Sequence, residues 1–161
     1  MLIQMYRHFL LQKMKIKLLP IDEDEKLNKH FTHETECVKI LKVYPEFYKK
    51  FGYNKPWIGY FVSNNIGQFI GSCGYKGAPK NGKIEIAYGT FKKFKRKGIG
   101  TEICRQMILL ALKTNPNIKI TARTLSDNAP SIKILEKNQF KFSGMVMDDE
   151  DGEVCEWEYV A

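Results

Sequence analysis

The chain has 161 residues, with 26 Lys and Arg against 18 Asp and Glu, a net charge of +8 and 43% hydrophobic residues. That length supports one folded unit with a real core and is short for two. The longest uninterrupted apolar run, Met107 to Leu112, falls well below the ~20 residues a membrane-spanning helix needs, so no membrane partner is expected.

The N-terminal stretch MLIQMYRHFLLQK is apolar but interrupted by Gln4, Arg7 and His8, and no small-residue cleavage site follows. It does not read as a secretory signal. Residues 1–13 are expected to form an extension to a single domain over residues 14–161. From Ile16, IKLLPI reads as a strand ending at Pro20, and the acids of DEDEKLNKHF suit a helix N-terminus. A second helix is expected over Glu34 to Lys42. In PWIGYFVSNNIGQFIGSCGY, two strand-like runs flank the turn-rich Asn64-Asn65-Ile66-Gly67, and a further strand, IEIAYGTF, alternates Ile84, Ile86 and Tyr88 with Glu85, Ala87 and Gly89. After the basic loop, Ile99, Ile103, Met107, Leu110 and Ala111 fall at helical spacing, and that helix should end near Pro116. IKITAR is a short strand, Asp127 or Asn128 can cap the helix APSIKILEKN, and FKFSGMVM and VCEWEYV are strands flanking the turn Asp148 to Gly152. Strands interleaved with helices in this order predict one α/β domain with a central sheet.

Charge is distributed unevenly. Lys76 to Lys97 carries eight basic residues against one acid, whereas Asn138 to Ala161 carries one Lys against seven acids. Cys37, Cys73, Cys104 and Cys155 lie far apart without metal-ligand spacing, so reduced thiols, no metal and a cytoplasmic location are expected. The basic run Lys92 to Lys97 invites a nucleic-acid reading, but only Phe91 and Phe94 interleave with it and no binding motif accompanies it, so nucleic acid is not the expected partner.

Gly98 and Gly100 sit where a strand hands over to a helix, leaving first-turn amides approachable by an anion. The P-loop spelling is absent, and the dinucleotide fingerprint fails at Ile103. What remains, Lys95-Arg96-Lys97-Gly98-Ile99-Gly100, resembles the [RQ]-x-x-G-x-[GA] loop of the GNAT superfamily of acetyl-CoA-dependent N-acetyltransferases. It departs at the first position, with Lys95 for Arg or Gln, and places Arg96 where glycine is common. GSCGYKG, IEIAYGTF and SDNAPSIKILEKNQF resemble the RimJ/RimL-like branch, the last with Asn128, Ser131, Leu135, Glu136, Lys137 and Phe140 in register and Gln139 for the usual glycine. The resemblance runs from about Met14 to Tyr159.

It implies a mixed central sheet of about seven strands flanked by about four helices, acetyl-CoA as cosubstrate, an amine acceptor, and room for a homodimer. The pantetheine arm would lie along Tyr88, Gly89 and Thr90, with the pyrophosphate over Arg96, Lys97, Gly98, Ile99, Gly100 and Thr101. Lys92, Lys93 and Lys95 would supply attraction to the phosphates, and Asn128 is a candidate contact to the arm or simply a helix cap. Glu85, on the strand before the loop, is the candidate base, or else the partner of a lysine on the sheet face. A Glu that many members carry on the following strand is Arg123 here, and the usual tyrosine acid is Leu135, which leaves Ser131 as the candidate acid or a first-turn cap. His30 and His33 fall in the region that often shapes the acceptor pocket, Trp57 and Trp157 are core or cleft-wall candidates, and DDEDGE could steer a cationic amine. A non-catalytic acetyl-CoA sensor is the alternative that the missing tyrosine and Arg123 keep open.

Overall fold

The computed structural model of the protein describes residues 1–6 and 14–160, so most of the expected extension lies outside the described residues. Residues 2–6 are helical. Strand β1 (Lys17–Pro20) leads into a 3-10 helix over Glu25–Phe31, capped by Asp24, and then into helix α1 (Thr35–Leu41). Helix α2 (Tyr44–Phe51) follows, then β2 (Gly59–Ser63), β3 (Phe69–Tyr75), β4 (Lys83–Thr90) and α3 (Ile99–Thr114). The chain closes with β5 (Lys119–Thr124), α4 (Ala129–Lys137), β6 (Phe140–Asp148) and β7 (Gly152–Tyr159). The sequence reading has no helix over Tyr44–Phe51. Its four aromatics, Tyr44, Phe47, Tyr48 and Phe51, do fall at helical spacing, but over only two turns, and the ends are marked by Pro45 in the first turn and Gly52 at φ 86° past the last.

The seven strands form one sheet in the order β1-β2-β3-β4-β5-β7-β6. All neighbours are antiparallel except β4 and β5, which run parallel because α3 crosses over between them. Period-two alternation assigns the faces. Gly71, Cys73 and Tyr75 of β3 and their partners Thr90, Tyr88 and Ile86 of β4 face α3, where the buried Tyr75 hydroxyl donates to the Met107 carbonyl at 2.7 Å. Glu85, Ala87 and Gly89 face the opposite side, where Tyr44 of α2 lies over Gly59 of β2 and Gly74 of β3.

The motif GSCGYKG becomes intelligible here. A side chain at Gly71 would meet the Gly89 carbonyl oxygen at 2.6 Å, one at Gly74 would press on the Gly59 Cα at 3.2 Å beneath the Tyr44 ring, and one at Gly77, where φ is 79°, would meet the Phe51 carbonyl oxygen at 2.6 Å. Three close backbone approaches, not a ligand, require these glycines.

The β6–β7 hairpin reaches beyond the end of β5, since Thr124 pairs with Cys155 while β7 continues back to Gly152. Asp148 fixes its tip: one carboxylate oxygen accepts from the Glu150 and Asp151 amides at 2.9 and 3.2 Å, and the other accepts from Arg123 of β5 at 3.1 Å. The Glu150 amide, then Arg123, hold this carboxyl well below the usual carboxylate range despite its burial. A depressed folded-state pKa stabilises the fold above the ordinary carboxylate value and ceases to do so as pH falls through the depressed one. Asp148→Asn keeps the turn acceptor but removes the charge, and should cost about 1–2 kcal/mol at pH 7. In urea unfolding the gap to the natural protein should narrow from pH 4 to pH 3; a gap constant across that window would show that the charge is not its source.

Candidate active site

The central feature is a gap in the sheet. β4 and β5 pair from Lys83↔Lys119 to Ile86↔Ala122 and then part, although β4 continues to Thr90 and β5 to Thr124. Hydrogen-bonding direction alternates along β4: the Glu85 carbonyl and, just past the strand, the Phe91 amide bond to the β3 side. The intervening even residues, Tyr88 and Thr90, therefore turn their amides and carbonyls toward the parted β5. Gly89 opens onto free space, for a Cβ built there meets nothing within 4 Å. Tyr88 itself is anchored on the helix face, where burial, with Cys104 beside it, pushes its phenol up.

Beyond β4 the chain turns through exposed Lys92, Lys93, Lys95, Arg96 and Lys97 into α3. Arg96 and Gly98 both have positive φ, 65° and 78°, and no side chain caps the helix. The Glu102 amide is the first to bond back, to the Gly98 carbonyl at 3.3 Å, so the amides of Ile99, Gly100 and Thr101 have no backbone acceptor among the described residues. Gly100 is buried, and its missing side chain faces α4: a Cβ there would sit 2.7 Å from Ile134 Cδ1 and 3.3 Å from Thr90 Oγ1. Its role in the fold is thus close packing of α4 on α3, which Asn138 reinforces by donating to the Thr101 carbonyl at 3.1 Å. At the start of α4, the Asn128 side chain accepts from the Ser131 amide at 3.3 Å, a helix cap, and Ser131 is half-buried.

On the opposite face of the sheet lies a cleft of about 740 Å³. Its floor is Glu85, Thr121, Arg123 and Glu156, one wall is α2 with Glu46, Phe47 and Lys50, and the other is the hairpin tip with Asp149 and Glu150. The floor is a network of charges. Lys76 Nζ stands 2.7 Å from Glu85 and 3.7 Å from Asp148, and Arg123 reaches Glu85 at 3.3 Å, Asp148 at 3.1 Å and Glu156 at 3.6 Å. Arg123 is overcommitted: its Nε is buried with no well-directed hydrogen-bond acceptor. Lys50 and Asp149, 3.8 Å apart, approach each other across the mouth.

The expected site residues thus divide between the two faces. Tyr88, Gly89, Thr90, the loop from Lys95 to Thr101, and Asn128 and Ser131 of α4 belong to the gap and its helix side; Glu85 belongs to the cleft. Glu85 and Ser131 lie on opposite faces of the sheet. His30 and His33 stand outside this cleft, and Trp57 and Trp157 are buried, the latter donating its indole N–H to Thr124 at 2.9 Å. Sequence reasoning missed the α2 wall and the part played by Lys76, whose signal was present in GSCGYKG without a chemistry attached.

A family model described as acetyltransferase (GNAT) domain matches residues 15–141. An uncharacterized N-acetyltransferase of Bacillus subtilis (strain 168), YjdG, is 35% identical over 105 residues, which are 65% of this chain and 58% of that protein. The chain therefore spans under two thirds of that relative's length. Among solved structures, a spermidine N-acetyltransferase SpeG chimera from Vibrio cholerae and hSSAT superposes with a TM-score of 0.68 at 14% identity, over 90% of this chain and 95% of that one. The aminoglycoside acetyltransferase AAC(6')-Ib in complex with coenzyme A superposes at 0.65 and 18% identity, over 91% and 95%. Those two likenesses are of fold. The matched segment runs from the start of β1 into β6 and takes in both the parted strands and the glycine loop, and on it the chain belongs to the GNAT acetyltransferase domain family.

Proposed function

We propose that the protein is a cytoplasmic N-acetyltransferase of the RimJ/RimL-like type that moves the acetyl group of acetyl-CoA directly to a primary amine within a ternary complex. The parting of β4 and β5 carries this reading, because it leaves main-chain donors and acceptors unspent beside open space between two solvent-accessible faces. Acetyl-CoA supplies the activated thioester. The Tyr88 and Thr90 main chain would hold its pantetheine arm alongside Gly89, and the amides from Arg96 to Thr101 its pyrophosphate, with Lys95, Arg96 and Lys97 adding charge. Asn128, whose carboxamide oxygen caps α4, keeps its NH2 for the arm.

Direct transfer is supported by the thiols. All four cysteines are buried, and burial pushes Cys37 and Cys104 up to about 12, so neither offers a thiolate to carry an acyl group. The cleft would hold the acceptor. Glu85 is the carboxylate on its floor one pleat below the gap, and we assign it the acceptor's proton; Ser131 Oγ holds a proton on the helix side. Around the mouth the acids Glu46, Asp149 and Glu150 outnumber Lys50, which favours an acceptor that arrives as a cation.

Calorimetric titration with acetyl-CoA should show micromolar binding, and an amine panel should release free thiol. No heat at millimolar acetyl-CoA would overturn the assignment. Gly98→Val forces a left-handed φ on a β-branched residue and disturbs the open amides, so it should weaken acetyl-CoA at least tenfold. Gly100→Val instead meets Ile134 and should lower unfolding stability by about 1–3 kcal/mol. Unchanged acetyl-CoA affinity in the Gly98 variant would remove the loop from the site.

A further inference from the structure

The cleft already contains a primary amine. Lys76 Nζ lies on the cleft face, 2.7 Å from Glu85 and 3.7 Å from Asp148, in the place an acceptor ammonium would take if Glu85 receives its proton. Lys76 follows β3 directly, and its amide donates to the Glu85 carbonyl at 3.0 Å, which puts it level with Glu85. The gap begins at Ala87, two residues or about 7 Å further along the strand. A flexible four-carbon stem spans that interval by rotation about its own bonds. The side chain is 31% exposed, sheltered but not entombed. The other lysines lining the cleft are worse placed: Lys83 and Lys50 are 48% and 54% exposed, Lys83 sits at the far end of β4, Lys50 is at the mouth, and Lys80 lies in the loop beyond.

The geometry points to Lys76 as a self-acetylation site, an internal acceptor that takes the acetyl group when no external amine fills the cleft. This rests on the acetyl-CoA reading above. In the reaction the ammonium gives one proton to the Glu85 carboxylate, and the freed Nζ lone pair attacks the thioester carbonyl carbon. The C–N bond forms as the C–S bond breaks. Coenzyme A leaves as the thiolate and takes up a proton, the second proton on nitrogen is lost to solvent, and the product is a neutral amide. No oxidant or further reactant enters. Burial pulls the Lys76 pKa down, but the hydrogen bond and charge of Glu85, with Asp148 behind it, outweigh that and leave it above the ordinary lysine value. Self-acetylation should accordingly be slow beside turnover of an external amine, which would also displace Lys76 from Glu85.

The test is site-resolved mass spectrometry of the whole chain incubated with acetyl-CoA and no amine. Acetyl-lysine should appear at Lys76 at least tenfold faster than at Lys113 and Lys137, which are exposed and remote and report uncatalysed acetylation. Excess desulfo-coenzyme A should abolish the label at Lys76 and leave theirs. Lys76→Arg keeps the ion pairs but has no acylatable amine, so its acetyl-CoA affinity by calorimetry should be unchanged while the peptide stays unmodified. Labelling at Lys76 no faster than at the reference lysines, or persisting under desulfo-coenzyme A, overturns self-acetylation. If acetyl-CoA binds and Lys76 remains bare, only this inference falls; if acetyl-CoA does not bind, the proposed function falls with it.

Discussion

Everything distinctive in this molecule follows from two parallel strands that cannot stay together. β4 and β5 are the sheet's one parallel pair, joined through α3, and they hold register for four residue pairs before separating. On one side β4 remains bonded to β3 through Thr90, and on the other β5 remains bonded to β7 through Thr124. Each strand is thus fixed by its outer neighbour while its inner edge is bare. In an ordinary sheet such unspent main-chain groups would be a liability. Here they border open space, for a Cβ at Gly89 would meet nothing within 4 Å, and the proposed function gives them a ligand.

The helix side of that passage is built by packing and the cleft side by charge. On the helix side, the absence of side chains at Gly71 and Gly100 lets β3 approach β4 and α4 approach α3, and the open amides at the start of α3 are a by-product of a helix that no side chain caps. The basic residues beside them are exposed, and Phe94 lies 5.9 and 5.8 Å from the ammonium groups of Lys93 and Lys97, so the lysines shape a field more than a pocket. On the cleft side, Lys76, Glu85, Arg123, Asp148 and Glu156 come from four different strands and the end of β3. Their mutual pairing ties the hairpin tip to the floor and sets the width of the cleft.

Sequence reading reached the sheet, the crossover helix and the glycine loop because each has a local signature: alternation, helical spacing, and glycines at a strand-to-helix junction. It anticipated that Glu85 would serve either as a base or as a lysine's partner, and the structure supplies the lysine, Lys76, along with Arg123. It did not find α2, whose eight residues are held by Pro45, Gly52 and tertiary contacts, and so it lacked one wall of the cleft. The acids of DDEDGE read as a uniform charged turn, yet Asp148 is buried in hydrogen bonds while Asp149 and Glu150 stand at the mouth. Burial of one acid among five near neighbours depends on Arg123, 25 residues away, and no local pattern encodes that.

The position of Arg123 shows how a change of sign can be absorbed. A carboxylate on β5 would leave the floor with Glu85, Asp148 and Glu156 facing a fourth negative charge, with Lys76 on Glu85 and Asp148 and Lys83 on Glu156 to balance them. Arginine instead spreads one guanidinium over three acids, which lets them crowd beneath the gap without mutual repulsion opening the hairpin. The cost is an Nε that lies near Glu85 and Glu156, at 3.3 and 3.6 Å, without an aligned acceptor. Lys76 is the member that can yield, since its stem is flexible and it is partly exposed, and under the proposed function its place is the one an acceptor ammonium would take. Arg123 therefore fixes the floor, and in the proposed reaction Lys76 is the cation that gives way.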